Sequence, residues 1–171
     1  MSETDRLLSE EYTRRQLASR NRQLAALNSA ALAIAAELTL EKVVKQIVDS
    51  ARELVGAQYA ALGVPNAEGY LETFVYSGMP TELARRIPHL PQGHGLLGAL
   101  IHDPQPIRIP RIADDPRSVG FPMHHPDMES FLGVPIVAAN EVLGNLYLTN
   151  KLTADEFSEY DLEMVEMLAA H

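Results

Sequence analysis

The chain has 171 residues, a net charge of −9, 46% hydrophobic residues and 22% charged residues, enough for one domain with a real core plus a helical extension. The negative charge excludes the basic stripe that nucleic acid demands, and no apolar run approaches the roughly 20 residues of a membrane span. The absence of cysteine excludes disulfides, iron–sulfur clusters, thiolate zinc sites, a thiol nucleophile and a thiol-attached bilin. Together with an acidic, polar amino terminus, these exclusions predict a cytoplasmic protein.

Residues 5–37 read as one helix without Gly or Pro. Leu17, Leu24, Ala31 and Leu38 form one heptad column. Thr13, Arg20, Leu27 and Ile34 form a second, offset by three. This imperfect a/d seam predicts a homodimer through the amino-terminal helix. Residues 1–38 are therefore expected to be a signalling and dimerisation helix, and 39–171 a globular sensor domain. Thr39 is the expected N-cap of a second helix, with Glu41 in its first turn. Its apolar face is Val43, Val44, Ile47, Ala51, Leu54 and Val55, and Gly56 ends it.

Strands are expected at Gln58–Val64 and Tyr70–Tyr76 around a turn at Asn66–Gly69. A short helix follows at Thr81–Ile87. Gly93-His94-Gly95 opens another at Leu96–Ile101, and Pro106–Ile109 is a brief strand. The Pro- and Asp-rich loop from Pro110 to Asp127 is too long and polar for a plain connection, which points to function. Phe131–Ala138 and Val142–Lys151 make a hairpin around Ala139-Asn140-Glu141. Ser158 caps the last helix, with Asp161 at N3 of a capping box. That helix stops at His171 in mid-pattern, so the chain is expected to be the front part of a longer protein. The order predicts an α+β fold: an antiparallel sheet, long helices on one face, and short helices and loops forming a ligand pocket on the other.

Within the loop, a His124-His125 pair stands between Pro122 and Pro126, which fix φ on both sides. A stiff segment presenting an imidazole to an apolar strand is what a haem iron needs from an axial ligand. Neighbours in an extended segment point opposite ways, so both histidines cannot reach one metal. Nor do two adjacent histidines make a zinc site. On the last strand Leu143, Asn145, Tyr147 and Thr149 share one face. That face is mixed in character, as a pocket lining would be.

The layout resembles the GAF domain over roughly residues 38–171. Ser130-Phe-Leu-Gly-Val-Pro-Ile136, Gly144-Asn-Leu-Tyr-Leu148 and Asn150-Lys151 carry the resemblance. More narrowly the chain resembles the haem-binding GAF domains of dormancy-type sensor histidine kinases, through four stretches. These are Arg85 to Gly98, Asp103 to Arg108, Val119-Gly-Phe-Pro-Met-His-His-Pro-Asp-Met128 and Gly144 to Thr149. The resemblance implies a haem b cofactor with His125 as the axial, metal-binding residue and Tyr147 on the distal side. The remaining lining it implies is His94, Gly95, Leu97, Phe121, Met123, Met128 and Phe131. It also implies a diatomic partner (O2, NO or CO) and a downstream kinase module. Gly63 and Pro65 stand where the best-known members have an acidic residue and a histidine, which implies a more open haem edge.

A haem-free GAF domain is the alternative, one that binds a cyclic nucleotide or other small molecule, or only dimerises. Asn150-Lys151 followed by Phe157-x-x-x-Asp161 approaches the cyclic-nucleotide pattern, with Leu162 in place of its final Glu. The simpler reading of that string is a lock between strand and helix, Lys151 to Asp161. Arg85, Arg86 and Arg108 are candidates for propionate pairing, with surface solvation as the default. No catalytic triad, His-x-x-x-His or Walker loop is present, so no enzymatic activity is expected before His171.

Overall fold

A computed structural model describes residues 3–37, 40–89 and 91–170. The chain divides into two compact units, Met1–Leu40 and Glu41–His171.

The first unit is α1, Glu3–Glu37, about 52 Å long at 1.5 Å per residue. Arg15 and Glu11 pair one turn apart at 2.6 Å. Leu17, Leu24 and Leu27 are exposed. The Thr39 cap and the side chains of Ala31, Ile34 and Leu38 lie outside the described residues.

The second unit is built on five antiparallel strands: β1 (Ala57–Pro65), β2 (Leu71–Ser77), β3 (Ile107–Ile109), β4 (Phe131–Ala138) and β5 (Glu141–Lys151). Their order is β2-β1-β5-β4-β3, so β5 is central and flanked by both long partners. The predicted α+β class and its antiparallel sheet are borne out. The hairpin turn is tighter than expected. Ala138 pairs with Glu141, and Ala139 and Asn140 both have positive φ, 50° and 65°, the pattern of a two-residue type I′ turn.

Strand alternation gives the sheet two faces. On one, Leu62, Leu132, Val134, Leu146 and Leu148 pack with Val44, Val48 and Ala51, the apolar stripe of α2 (Leu40–Leu54), and with Val55 just beyond it. Phe157, just before the Ser158 cap, and Val165 of α5 (Glu159–Ala169) complete this core. Each such aliphatic side chain contributes about 1.5–3 kcal/mol by leaving water. On the other face, Phe131 and Tyr147 lie beneath Leu96 and Leu100 of α4 (Gly95–His102), with Ile109 and Ile112. The remaining helix, α3, is only Thr81–Ala84, and Ile112–Asp114 forms a 3-10 turn inside the long loop.

Ser158 caps α5 as expected. Its side chain accepts from the Asp161 N–H at 3.1 Å, and the Asp161 carboxylate accepts from the Ser158 N–H at 2.8 Å. The same carboxylate binds Lys151 Nζ at 2.9 Å, and Lys151 also donates to the Val55 carbonyl at 2.7 Å. Burial opposes the charge on Asp161. The Ser158 backbone N–H, the Lys151 ammonium and the Ser158 side chain outweigh it and hold the carboxyl below the usual aspartate range.

Candidate functional site

On the α4 side, β5 presents Asn145, Tyr147 and Thr149 in succession. Tyr147 lies between Ala61 of β1 and Gly133 of β4, Asn145 between Gly63 and Pro135, and Thr149 between Tyr59 and Phe131. The strip is thus bordered by small residues around Tyr147 and Asn145. A Cβ at Gly133 would collide with Leu100 Cδ1, so α4 packs directly on bare strand backbone. The space in front of Gly63 is filled by neighbouring side chains. Leu71 Cδ2 lies 2.7 Å from where its Cβ would stand, and Tyr147 Cε2 lies 3.1 Å from it. The side chain of β2 has taken the space that the missing carboxylate would leave.

Tyr147 is 3% exposed. Burial pushes its hydroxyl pKa far above the ordinary tyrosine range, so it is a neutral donor at any physiological pH. Among the described residues its hydroxyl donates one long bond, 3.4 Å, to the Leu97 carbonyl. The Phe131 ring lies 6.3 Å away, tilted, and Leu97 and Met128 pack on the same cluster. Four expected pocket residues, Leu97, Met128, Phe131 and Tyr147, therefore meet in space.

Asn145 and Thr149 were not singled out as site residues by sequence. Asn145 is fully buried, yet among the described residues neither its Oδ1 nor its Nδ2 has a well-formed partner, and Thr149 Oγ1 has none either. The Asn145 amide is close enough to Tyr147 to favour its ionised form slightly, without making a well-formed hydrogen bond. The mixed polar character of the face was the sequence signal. Which members lack partners depends on what lies opposite, Gly63 and Pro135, and that is register information.

The histidine pair sits in a turn rather than an extended segment. The His125 N–H donates to the Pro122 carbonyl at 3.2 Å, and His124 takes a positive φ of 66°. That left-handed residue, not strand alternation, separates the two imidazoles. His125 is half-buried and stacks on Phe121, with ring centroids 4.6 Å apart and planes at 14°. Its Nδ1 lies 2.8 Å from the Pro126 carbonyl oxygen. A carbonyl only accepts, so Nδ1 carries the hydrogen, and in the neutral ring Nε2 is the nitrogen with the lone pair. Met123 is exposed. His125 and Phe121 form a pair of their own and are not members of the cluster around Tyr147.

The ends of the loop are pinned. Arg117 grips the Asp115 carboxylate through Nε and a terminal nitrogen, both at 2.9 Å, and the Ile112 N–H reaches the Glu129 carbonyl at 2.7 Å. Asn150, at φ 59°, closes the downstream end. Its Oδ1 accepts from the Glu129 N–H at 2.7 Å, and its Nδ2 donates to the Asp127 carbonyl and to Gln58 Oε1, each at 3.0 Å. Asn150 and Lys151 are thus both spent on internal bonds. Arg108 is spent likewise, on the Phe157 carbonyl at 3.0 Å and Glu159 at 3.1 Å, rather than free for a propionate. Arg85 pairs with Glu82.

Gly95 joins α4 to the loop. It has a φ of 64°, and a Cβ there would lie 2.9 Å from Val119 Cγ2 and 3.1 Å from the Arg117 carbonyl oxygen. His94, the residue before α4, is exposed and stands edge-on to Tyr70 at 6.4 Å. Among the described residues no group of three or more His, Asp or Glu gathers as a protein-only metal site requires.

The family model for the GAF domain matches residues 37–171. The chain belongs to the GAF family. GAF domains are in general regulatory sensor modules, and the resemblance over 38–171 is confirmed at that level. The fold is shared with the GAF domain of a phosphoenolpyruvate-protein phosphotransferase from Coxiella burnetii, at 24% identity and a TM-score of 0.66 over 86% of this chain and 88% of that one. The corresponding Acinetobacter domain is 21% identical with a TM-score of 0.63, covering 88% and 89%. A type II free methionine-R-sulfoxide reductase from Thermoplasma acidophilum is 18% identical with a TM-score of 0.57, covering 76% and 89%. Such distant likeness establishes the fold and leaves ligand and chemistry to the residues of this chain. Among the described residues no helix is long and apolar enough to cross a membrane.

Proposed function

We propose that this GAF domain is a haem b sensor in which His125 supplies the axial imidazole and Tyr147 lines the side where a diatomic ligand enters. One observation carries the reading: the Pro126 carbonyl accepts the His125 Nδ1 hydrogen at 2.8 Å, which in the neutral ring makes Nε2 the nitrogen available to a metal. Metal-bound histidines are oriented in this way by a partner on the other ring nitrogen. Phe121 stacks on the ring, and Asn150 fixes the segment just beyond it. The apolar cluster with a neutral Tyr147 hydroxyl, and the unpartnered Asn145 amide beside it, fit a cofactor that takes up a small polar ligand. Bound haem would supply the iron that takes up the diatomic ligand. The protein's part is to hold the imidazole tautomer, exclude water with Leu96, Leu100 and Phe131, and offer hydrogen bonds. For a ligand to enter, α4 must lift from Gly133, and that movement is the proposed start of signalling to a downstream kinase module.

The reading is tested by titrating the purified protein with haem. Wild type and His124→Ala should develop the same Soret band, while His125→Ala should lose it or shift it. A His125→Ala spectrum identical to wild type would remove the axial assignment. The cyclic-nucleotide alternative drew on Asn150 and Lys151, and the internal bonds of both argue against it. Calorimetric heat with cyclic nucleotide on haem-free protein would revive it.

A further inference from the structure

We infer that Asn145 is a ligand-contact residue: its buried carboxamide hydrogen-bonds a small polar ligand held beneath α4, beside the Tyr147 hydroxyl. The inference rests on the haem reading for the identity of that ligand, a diatomic gas or water, but not for the existence of the polar site. Buried polar side-chain atoms almost always have partners, and an amide left with none is costly. Among the described residues Asn145 has no well-formed partner at zero exposure; only the Tyr147 hydroxyl is close. Its cross-strand neighbours cannot supply any, because Gly63 has no side chain and Pro135 no polar one. A leucine of nearly the same shape would satisfy the surroundings better, so packing does not account for an amide at this position. The next polar group on the strip, Tyr147, makes only the long bond to Leu97. Two under-used polar groups therefore converge in a cluster otherwise lined by Leu96, Leu100 and Phe131. Leu100 rests on the bare backbone of Gly133, so a ligand entering between α4 and the sheet displaces that contact.

Two measurements test this. In haem-free protein, thermal melting should place Asn145→Leu at or above wild type, because an unsatisfied amide has been removed. If both Asn145→Leu and Asn145→Val melt below wild type, the amide serves the fold and the inference falls. In haem-loaded protein, carbon monoxide is the probe. Asn145→Leu should keep the Soret band, shift the carbon monoxide stretching frequency and change its dissociation rate by roughly two- to tenfold, the scale of one hydrogen bond. An unaltered frequency and rate with the Soret band intact would overturn the inference while leaving His125 untouched. If wild type binds no haem, the haem reading fails, and the melting comparison alone decides whether Asn145 is kept for a ligand.

Discussion

Tyr147 makes one bond that costs little to lose. Its hydroxyl reaches the Leu97 carbonyl at the long distance of 3.4 Å, while its ring packs in the cluster with Phe131 and Leu96. Tyr147→Phe should therefore leave the melting temperature and haem content nearly unchanged. If the hydroxyl also bonds the ligand, oxygen dissociation should change by roughly two- to tenfold; stopped-flow rates equal to wild type would take Tyr147 out of the ligand site. Asn150 is the opposite case. It combines a left-handed backbone with three side-chain bonds. Asn150→Ala loses those bonds and takes on a left-handed strain, together about 3 kcal/mol. Asn150→Gly should recover about 1 kcal/mol of that by removing the strain. Urea unfolding of the pair checks the ordering, and an alanine variant as stable as the glycine one would show that backbone strain is not part of the cost. Asn150 was legible in the sequence as part of a motif, but not as the staple of the His125 loop. Its partners Asp127, Glu129 and Gln58 are joined to it only by the pairing of β1, β4 and β5.

The strands and helices were largely readable before the fold was known. Val-, Leu- and Ile-rich alternation marks β4 and β5, and of the apolar face expected for the second helix Val44, Ile47, Ala51 and Val55 pack on the core, whereas Val43 and Leu54 are exposed and Val48, not expected, is fully buried. Ser158 and Asp161 announced the cap of α5. What escaped was local backbone chemistry without a glycine signal: the positive φ at His124 and Ala139 and the 3-10 turn at Ile112–Asp114. L-residues adopt such conformations when tertiary contacts impose them. The link between β5 and α5 carries a pH prediction. Asp161 has its folded pKa lowered, so its stabilisation is fully present above the unfolded value near 3.8 and is lost as pH falls through the still lower folded value. Asp161→Asn should cost about 3 kcal/mol at pH 7, because it strands a half-buried Lys151 charge. It should also flatten the acid limb of the stability profile. Denaturation midpoints between pH 7 and pH 3 that fall equally in both proteins would contradict this.

At the scale of the whole molecule, α1 carries Leu17, Leu24 and Leu27 at 57%, 63% and 67% exposure. Apolar residues at heptad spacing on a glycine-free helix fit a second copy of the same helix, and we propose a homodimer on this seam. Leu24→Glu combined with Leu27→Glu should give monomers, since two charges per helix would have to enter the seam; multi-angle light scattering showing wild type as a monomer at tens of micromolar would remove the proposal. On this proposal the parts have distinct tasks: α1 would join two copies and the α4 face with the His125 loop would receive the ligand, while the α2–α5 face holds the main core. That last assignment is the centre of the account, and the visible spectrum of protein expressed with a haem supply tests it most directly. Ferric, ferrous and carbon monoxide forms of wild type should each show a Soret band, and His125→Ala, still folded by circular dichroism, should lose or shift it. A folded wild type without a Soret band, or a His125→Ala protein with the wild-type spectrum in all three forms, would contradict it.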